Sequence, residues 1–239
     1  MKSRKKSRRG LRFAAALLSM GILCLCVAGF VTSQSGLSSA VSLPFGLGTS
    51  QADTSLGWNL ILVNKEHRIL ANYKVDLVEL SNGEKVDSRI YPELQSMFDD
   101  ARADGLALFV REGYRTRKEQ EQIMDERVVQ YQAQGYSKAE AGKLAREYVA
   151  VPDTSEHQLG LSVDINADTS KCSSDAVYNW LAENAWKYGF IKRYPADKVD
   201  ITGISNEPWH YRYVGKEAAQ EMQQSGMCLE EYVKEKETS

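Results

Sequence analysis

The sequence predicts an α+β fold in which short strands are interspersed with helices. Segments with helical periodicity are interspersed with short runs that alternate apolar and polar residues, as strands do. Their order lacks the strand–helix–strand rhythm of a doubly wound sheet, and no internal repeat is present. The chain has 239 residues, 43% of them hydrophobic, which is enough for one domain with a real core behind a distinct N-terminus.

Hydrophobic spacing and helix-boundary residues define the predicted elements. Ser137 and Glu140 form a capping-box pattern that starts one helix. Gly105, Gly189 and Gly226 follow apolar-periodic segments and are expected to end three others. In chain order we predict strands at residues 58–63 and 75–80, a helix at 92–103, a strand at 106–110, helices at 116–134 and 137–148, a strand at 162–166, a helix at 174–188, a strand at 209–214 and a helix at 216–225.

The basic residues are unevenly distributed along the chain. Seven of them precede residue 13, whereas the first acidic residue is Asp53. The rest of the chain then holds 23 basic and 32 acidic residues. A domain with this acidic excess is a poor candidate for nucleic-acid binding, so no nucleic-acid partner is expected.

Residues 1–32 have the pattern of a targeting segment. A basic cluster precedes residues 11–31, which are almost wholly apolar, as in secretory signals and signal anchors. About 20 apolar residues suffice to span a bilayer, which favours a membrane anchor with a cytoplasmic basic tail over a cleaved signal. Residues 33–56, rich in Ser, Gly and Thr, are expected to be a flexible linker, and residues 57–239 the domain. We therefore expect the domain at the extracytoplasmic face of a cell membrane, or secreted if the segment is cleaved.

Export also bears on the two cysteines of the domain, Cys172 and Cys228. A disulfide can persist outside the cytoplasm. The sequence leaves their pairing open, because it does not show whether the two Cα atoms come close enough. Neither has a second cysteine at metal-binding CxxC spacing, which disfavours a thiolate metal site.

Two short segments contain two of the chain's three histidines, each with a carboxylate a few residues away. The first begins Ser155-Glu156-His157 and ends at Asp164, and the second is Glu207-Pro208-Trp209-His210. Two imidazoles and a carboxylate can hold zinc and leave a fourth position for water. A further carboxylate beside them can take a proton from that water. This combination predicts a zinc hydrolase.

Local geometry can bring these side chains together. Strand alternation places Asp164 on the open face of its strand. Gly160 would let the chain turn so that His157 converges on Asp164. Pro208 excludes a regular helix between Glu207 and His210. Taken singly, each residue also has a structural interpretation, such as a buried histidine or a turn-capping aspartate, and only their joint occurrence indicates a metal site.

The motif S-x-H-x-x-G-x-S-x-D, followed by E-P-W-H-Y-R-Y-V, resembles the VanY-type D-alanyl-D-alanine carboxypeptidases. These are zinc peptidases of bacterial cell-wall metabolism, related in fold to VanX dipeptidases and Hedgehog-type domains. The resemblance covers about residues 58–233 and includes Gly113-Tyr114-Arg115-Thr116. It implies the fold of that group, a small antiparallel sheet that carries the zinc site and is flanked by helices. It also implies one Zn²⁺ per chain and peptidoglycan stem peptides as substrate.

The resemblance also implies roles for individual residues. The zinc ligands would be His157, Asp164 and His210, and Glu207 would be the general base. Arg115 would hold the substrate carboxylate or polarise the scissile carbonyl. The remaining substrate-pocket positions would be Gln120, Ser155, Tyr194 and Trp209.

Two positions depart from the common pattern of that family. Glu112 stands where many relatives have serine, and Ser162 stands where alanine is common. Neither position is an implied metal ligand, but Glu112 would alter the charge near Arg115. Arg115 also has a structural interpretation, a surface ion pair with Glu112 or Glu119, which would carry little energetic weight.

The expected activity is zinc-dependent D,D-carboxypeptidase action on pentapeptide stems. The motifs leave open L,D-carboxypeptidase action on tetrapeptide stems, because relatives of both kinds share them. A non-catalytic, zinc-stabilised wall-binding module is a third interpretation. Glu207 disfavours it, since a structural site does not need an unbound carboxylate beside the metal. A serine penicillin-type peptidase is disfavoured because no S-x-x-K with suitable companions is found.

Overall fold

The computed structural model describes residues 50–239. The expected N-terminal segment, residues 1–32, and most of the expected linker lie outside these residues. Among residues 50–239, none of the helices has the length and apolar character needed to cross a membrane. The described part opens with strand β1 (Ser50–Gln51), and Ala52 belongs to the core. Ser50 and Gln51, which the sequence assigned to the linker, pair with His67 and Arg68 of the domain.

The described residues form eight strands and seven α-helices, which confirms the predicted α+β class. A 3₁₀ turn at Glu156–Leu159 precedes β6. In chain order the elements are β1 (Ser50–Gln51), β2 (His67–Arg68), β3 (Leu77–Glu79), β4 (Lys85–Asp87), α1 (Tyr91–Ala103), β5 (Leu108–Glu112), α2 (Arg117–Ala133), α3 (Lys138–Tyr148), β6 (Ser162–Ala167), α4 (Ser174–Asn184), β7 (Phe190–Lys192), α5 (Val199–Thr202), β8 (His210–Tyr213), α6 (Lys216–Ser225) and α7 (Leu229–Thr238).

A four-stranded antiparallel sheet of order β5-β6-β8-β7 carries the predicted site. Its register sets Asp164 opposite His210, and Ser162 opposite Arg212. Because side chains directly opposite each other in a sheet project to the same face, these four residues share one face. Val163 belongs to the alternate set and is fully buried in the core.

Helices α1 and α4 contribute to the hydrophobic core together with the sheet. The buried residues of α1 are the ones that its periodicity predicts: Leu94, Met97, Phe98 and Ala101. From α4, Val177 and Leu181 are buried in the same cluster. Full burial of each large apolar side chain contributes about 1.5–3 kcal/mol, so this packing fixes the sheet that holds the site.

A capping signal correctly predicted the start of α3. Ser137 and Glu140 form the expected capping box at α3, and Thr116 and Glu119 form another at α2. The helix predicted over residues 174–188 is α4 followed by a 3₁₀ turn, and Gly189 ends it at a φ of 85°. A side chain at Gly189 would meet the Gly215 backbone at 2.9 Å, so glycine is required there.

The sequence missed several elements, namely β1, β2, β4, β7, α5 and α7, and it predicted one strand that does not form. Residues 58–60 form turns and bends, and residues 61–63 have no regular structure, although Ile61 and Val63 are buried as a strand would require. The carbonyl of Ile61 accepts a hydrogen bond from Arg212 Nη2 at 2.8 Å, so a distant side chain satisfies this backbone in place of a strand ladder. Helix α7 was not predicted, although Leu229, Tyr232 and Val233 recur at helical spacing and are its buried residues.

Cys172 and Cys228 are both free thiols in the structure, so the disulfide that the sequence left open is not formed. The Ala107 N–H donates to Cys172 Sγ at 3.3 Å. Cys228 lies at the N-cap of α7 and is buried. The two cysteines thus serve as small packing residues in different parts of the domain.

Candidate metal centre

The three predicted zinc ligands lie together on the sheet. His157 comes from the 3₁₀ turn, Asp164 from β6 and His210 from β8. One ligand atom from each lies within 4.8 Å of the others. The two imidazole rings are nearly perpendicular, with centroids 5.0 Å apart. Imidazole nitrogen and carboxylate oxygen are ligands that zinc prefers in open catalytic sites, so this donor set fits a zinc ion.

Gly160 makes this convergence sterically feasible, as the sequence predicted. It adopts a left-handed conformation with φ of 73° directly after the turn that carries His157. A Cβ there would approach the Asp87 backbone nitrogen to 3.1 Å. A larger residue would therefore push the turn away from β4 and move His157 relative to Asp164.

The backbone carbonyl of Gly113 fixes the orientation of His157. It lies 2.8 Å from Nδ1, so Nδ1–H donates to it and the lone pair is on Nε2. Nε2 lies 3.6 Å from Asp164 Oδ1. The Arg115 N–H donates to the His157 carbonyl at 3.1 Å, which ties the predicted substrate arginine to the same turn. Such a bond to the second ring nitrogen orients a histidine for metal binding.

His210 is buried among three carboxylates. Its Nδ1 lies 2.9 Å from Asp164 Oδ1 and 3.8 Å from Glu207 Oε2, while Nε2 lies 3.5 Å from Glu156 Oε2. Burial disfavours the charged ring, but Asp164 and Glu156 outweigh it and raise the pKa of His210 to about 9. The ring therefore sits in a strongly negative environment, which also favours a bound cation.

Asp164 and Glu207 experience opposite effects from the same surroundings. Burial raises the pKa of Asp164, but His157 and His210 outweigh burial and hold that pKa well below its usual range. Burial is also the main influence on Glu207, and together with the Asp164 charge it raises the pKa of Glu207 despite His210. Asp164 thus remains an ionised ligand, whereas Glu207 is a more basic carboxylate, as a general base requires.

The Glu207 turn is tied to the chain near Tyr194. The Glu207 N–H donates to the Tyr194 carbonyl at 3.0 Å, and the Tyr194 ring lies 5.0 Å from the His210 ring. Trp209 is among the exposed large hydrophobic residues, and its carbonyl accepts the Ile165 N–H at 2.9 Å. Of these predicted pocket residues, Tyr194 therefore packs against the candidate ligand His210, and Trp209 is an exposed neighbour of His210 in the sequence.

Gln120 and Glu112 hold the predicted substrate arginine. Arg115 Nη1 donates to Gln120 Oε1 at 2.6 Å, and Nε donates to Glu112 Oε1 at 3.3 Å. Gln120 is buried, and its Nε2 donates to the Ala150 carbonyl at 2.7 Å. Among described residues Arg115 Nη2 has no recorded hydrogen bond, so the guanidinium keeps one nitrogen for a ligand. Gln120 thus holds the Arg115 guanidinium in place, and Arg115 also forms the ion pair with Glu112.

The turn before β6 contains a further predicted site residue, Ser155, and one residue that the sequence analysis missed, Glu156. Ser155 is buried, and its carbonyl accepts the Gln158 N–H at 3.1 Å, so its contribution visible here is to the turn of His157. Glu156 was not predicted as a site residue, yet its Oε2 lies 3.5 Å from His210 Nε2. The available signal was its position between Ser155 and His157 in a turn that must approach the sheet.

Comparison with known proteins identifies the family. Residues 83–216 match the profile described as VanY, D-alanyl-D-alanine carboxypeptidase. The chain belongs to the VanY family. A D-alanyl-D-alanine carboxypeptidase of Enterococcus faecalis is 58% identical over 176 residues, which span 74% of this chain and 66% of that relative. The putative carboxypeptidase YodJ of Bacillus subtilis is 38% identical over 203 residues, spanning 78% of this chain and 70% of YodJ.

Solved structures of VanY proteins share the fold. VanYB in complex with D-alanine-D-alanine is 58% identical, has a TM-score of 0.71 and is matched over 98% of its chain and 74% of this one. A mutant of a VanY D,D-pentapeptidase from a VanB-type resistance cassette, in complex with Zn(II), has the same TM-score of 0.71 and is matched over 99% of its chain and 74% of this one. The LD-carboxypeptidase LdcB is 38% identical with a TM-score of 0.64, matched over 86% of its chain and 74% of this one.

Proposed function

We propose that this VanY-family protein is a zinc-dependent D,D-carboxypeptidase that removes the terminal D-alanine from peptidoglycan stem peptides. The observation that carries the proposal is the His157–Asp164–His210 cluster, whose ligand atoms lie within 4.8 Å, with Glu207 3.8 Å from His210. The 58% identity to VanYB, solved with D-alanine-D-alanine, supports D,D specificity over the more distant LD-carboxypeptidases.

His157, Asp164 and His210 would hold the zinc ion. When bound, zinc supplies Lewis acidity, which lowers the pKa of a water and stabilises negative charge on a carbonyl oxygen. The lone pair of His157 on Nε2 and the ionised Asp164 are already available for this role. The fit therefore depends on side chains whose orientations the fold has fixed.

Glu207 moves the proton in this mechanism. It accepts a proton from the attacking water, whose oxygen forms the new bond to the carbonyl carbon of the last peptide bond. As the C–N bond breaks, Glu207 passes the proton to the amine of the leaving D-alanine. Its partly buried position and raised pKa suit a carboxylate that must both accept and release a proton near neutral pH.

Arg115 orients the substrate. Its guanidinium binds the terminal carboxylate of the stem peptide, an interaction that defines a carboxypeptidase because only a chain end offers that group. Gln120 and Glu112 hold Nη1 and Nε, so the free nitrogen is presented in a fixed direction. Preorganisation of this kind reduces the entropy lost when the substrate is positioned.

The N-terminal segment supports an extracytoplasmic location. The basic cluster and apolar residues 11–31 have the composition of a signal anchor, and the substrate class lies outside the cytoplasmic membrane. We propose that the domain lies on the outer side of that membrane, anchored by residues 1–32. Fractionation of cells that produce the full chain should recover it with membranes. Recovery of a shorter chain in the medium would instead indicate cleavage.

Metal removal and restoration test the proposed function. Protein stripped with a chelator should release no alanine from a pentapeptide ending in D-Ala-D-Ala, and added Zn²⁺ should restore the release. His210→Ala, which removes a ligand, should bind less zinc and stay inactive after addition. Full activity of chelated, zinc-free protein would contradict the proposal.

A further inference from the structure

Glu156 is a buried carboxylate whose two oxygens both have defined partners. It is 2% exposed. Oε1 accepts hydrogen bonds from Arg193 Nε and Arg212 Nη1, both at 2.8 Å. Oε2 accepts from Ser162 Oγ at 3.0 Å and lies 3.5 Å from His210 Nε2. These contacts fix the plane of the carboxylate and direct one oxygen toward the candidate zinc ligand.

The two arginines are themselves held from distant parts of the chain. Arg193 and Arg212 are both 0% exposed. Arg193 makes a bidentate pair with Glu230 of α7, with bonds of 2.8 and 2.6 Å. Arg212 Nη2 donates to the Ile61 carbonyl at 2.8 Å. Two guanidiniums therefore balance two carboxylates beneath the metal centre.

Stability alone is a weak explanation for such a network. Desolvating buried ion pairs is costly, and well-packed apolar residues often serve stability equally well. A fixed charge at this position has another consequence, because His210 Nε2 is buried without a hydrogen-bond partner among the described residues, and the Glu156 carboxylate at 3.5 Å is an acceptor beside it. The network thus provides an acceptor where a ligand histidine needs one.

The two histidines direct different ring nitrogens toward the candidate metal position. The Gly113 carbonyl accepts from Nδ1–H of His157, which leaves Nε2 for a metal. On His210, Nδ1 points toward Asp164 at 2.9 Å, and Nε2 points away from it toward Glu156. A neutral imidazole has one N–H, so a carboxylate facing Nε2 favours the tautomer whose lone pair is on Nδ1.

We propose that Glu156 is a positioning residue that holds His210 in the Nε2–H tautomer, so that Nδ1 is the zinc-binding atom. This inference rests on the proposed function only in that His210 binds zinc. Glu156 itself does not touch the substrate, so its effect should appear first in metal binding and in the state of the His210 ring.

The Glu156→Gln variant of the full chain tests the proposal sharply. The amide oxygen would stay with the two arginines, so the amide N–H₂ would face His210 Nε2 and oppose an N–H there. Zinc affinity, measured by chelator competition, should fall about 10- to 100-fold. Glu230→Gln is the matched control, because it breaks the ion pair with Arg193 but leaves Arg212 and Ser162 on Glu156. The thermal stability of this variant should fall. Its zinc affinity should stay within about twofold of the wild type, because Glu156 still faces His210.

Imidazole ¹H–¹⁵N NMR of the zinc-loaded wild-type chain tests the tautomer without any variant. A slowly exchanging Nε2–H signal assigned to His210 is expected, and an Nδ1–H signal would overturn the proposal. Unchanged zinc affinity in Glu156→Gln, or an equal loss in Glu230→Gln, would also overturn it. If His210→Ala kept full zinc stoichiometry, the proposed metal site itself would fail, which is a distinguishable result.

Discussion

Asp164 and Glu207 are chemically similar residues with different environments. Two histidines hold the pKa of Asp164 low despite burial, whereas burial and the neighbouring Asp164 charge raise the pKa of Glu207. Paired carboxylates whose pKa values are driven apart typically divide the roles of ligand and proton carrier. Asp164 is therefore suited to metal binding, and Glu207 is suited to proton transfer.

Replacing Glu207 with Gln should abolish proton transfer while preserving shape. We expect kcat to fall by about 10²- to 10⁴-fold, the usual contribution of a general base. Zinc content, measured by mass spectrometry of the intact metalloprotein under native conditions, should stay at one ion per chain. Wild-type turnover in this variant would refute the assignment of the base.

Replacing Arg115 with Ala should weaken recognition of the substrate carboxylate. A hydrogen bond to a charged group is worth about 1.5–3 kcal/mol, so kcat/KM should fall by about 10- to 100-fold. Arg102 of α1 is the control, because it pairs with Asp99 at the surface. Arg102→Ala should leave steady-state kinetics unchanged, and an equal loss in both variants would argue against a specific role for Arg115.

Residue-level prediction succeeded where local spacing determines geometry. Asp164 and His210 were expected on strand faces, and the β6–β8 register sets them side by side. The contacts of Glu156 could not be predicted in this way. They depend on Arg193 and Arg212, which lie 37 and 56 residues further along the chain, and nothing in local spacing indicates such a pairing.

At the scale of elements, the start of α2 links stability to the site. Thr116 caps the helix, its neighbour Arg115 leads into it, and Gln120 is its buried residue. Thr116→Ala should destabilise the domain by about 0.5–2 kcal/mol through loss of the cap. Ser137→Ala is the equivalent change at α3 and should destabilise the domain in the same way. Thermal unfolding should show a lower midpoint temperature for each variant, and an unchanged midpoint would contradict the stabilising role of that capping box.

The N-terminal end of α7 holds a thiol that should react slowly. Burial raises the pKa of Cys228 to about 11, so the thiolate is a small fraction at pH 8. Alkylation of the native protein at this cysteine should accelerate as pH rises toward that value, when followed by peptide mass spectrometry. Intact-mass analysis should also find no mass gain on reduction, whereas a gain of about two mass units would reveal the disulfide absent here.

Elements with strong local signals were the ones the sequence could predict. The periodicity of α1 and the capping box of α3 each act within a few residues. The segment at residues 58–63 has strand-like apolar content, but its backbone is satisfied by Arg212 instead of a neighbouring strand. Local propensity does not report such tertiary hydrogen bonds, and so the prediction there was wrong.

At the scale of the whole molecule, one face of the central sheet packs in the hydrophobic core and the other carries the candidate metal centre. Val163 and Ile165 project into the hydrophobic core, while Asp164 and His210 face the candidate centre. The Glu156 network then connects this face to α7 through Glu230. The α+β class was predictable because the mixture of periodicities is a property of the entire chain, whereas the connection through α7 is a property of the folded state.

The most direct test of the account is mass spectrometry of products from the zinc-loaded protein, offered pentapeptide and tetrapeptide stems in parallel. We expect the pentapeptide ending in D-Ala-D-Ala to lose a single alanine and the tetrapeptide to remain unchanged. Cleavage of the tetrapeptide alone would move the protein to the L,D class. No cleavage of either stem, with zinc confirmed in the protein, would contradict the proposed carboxypeptidase activity.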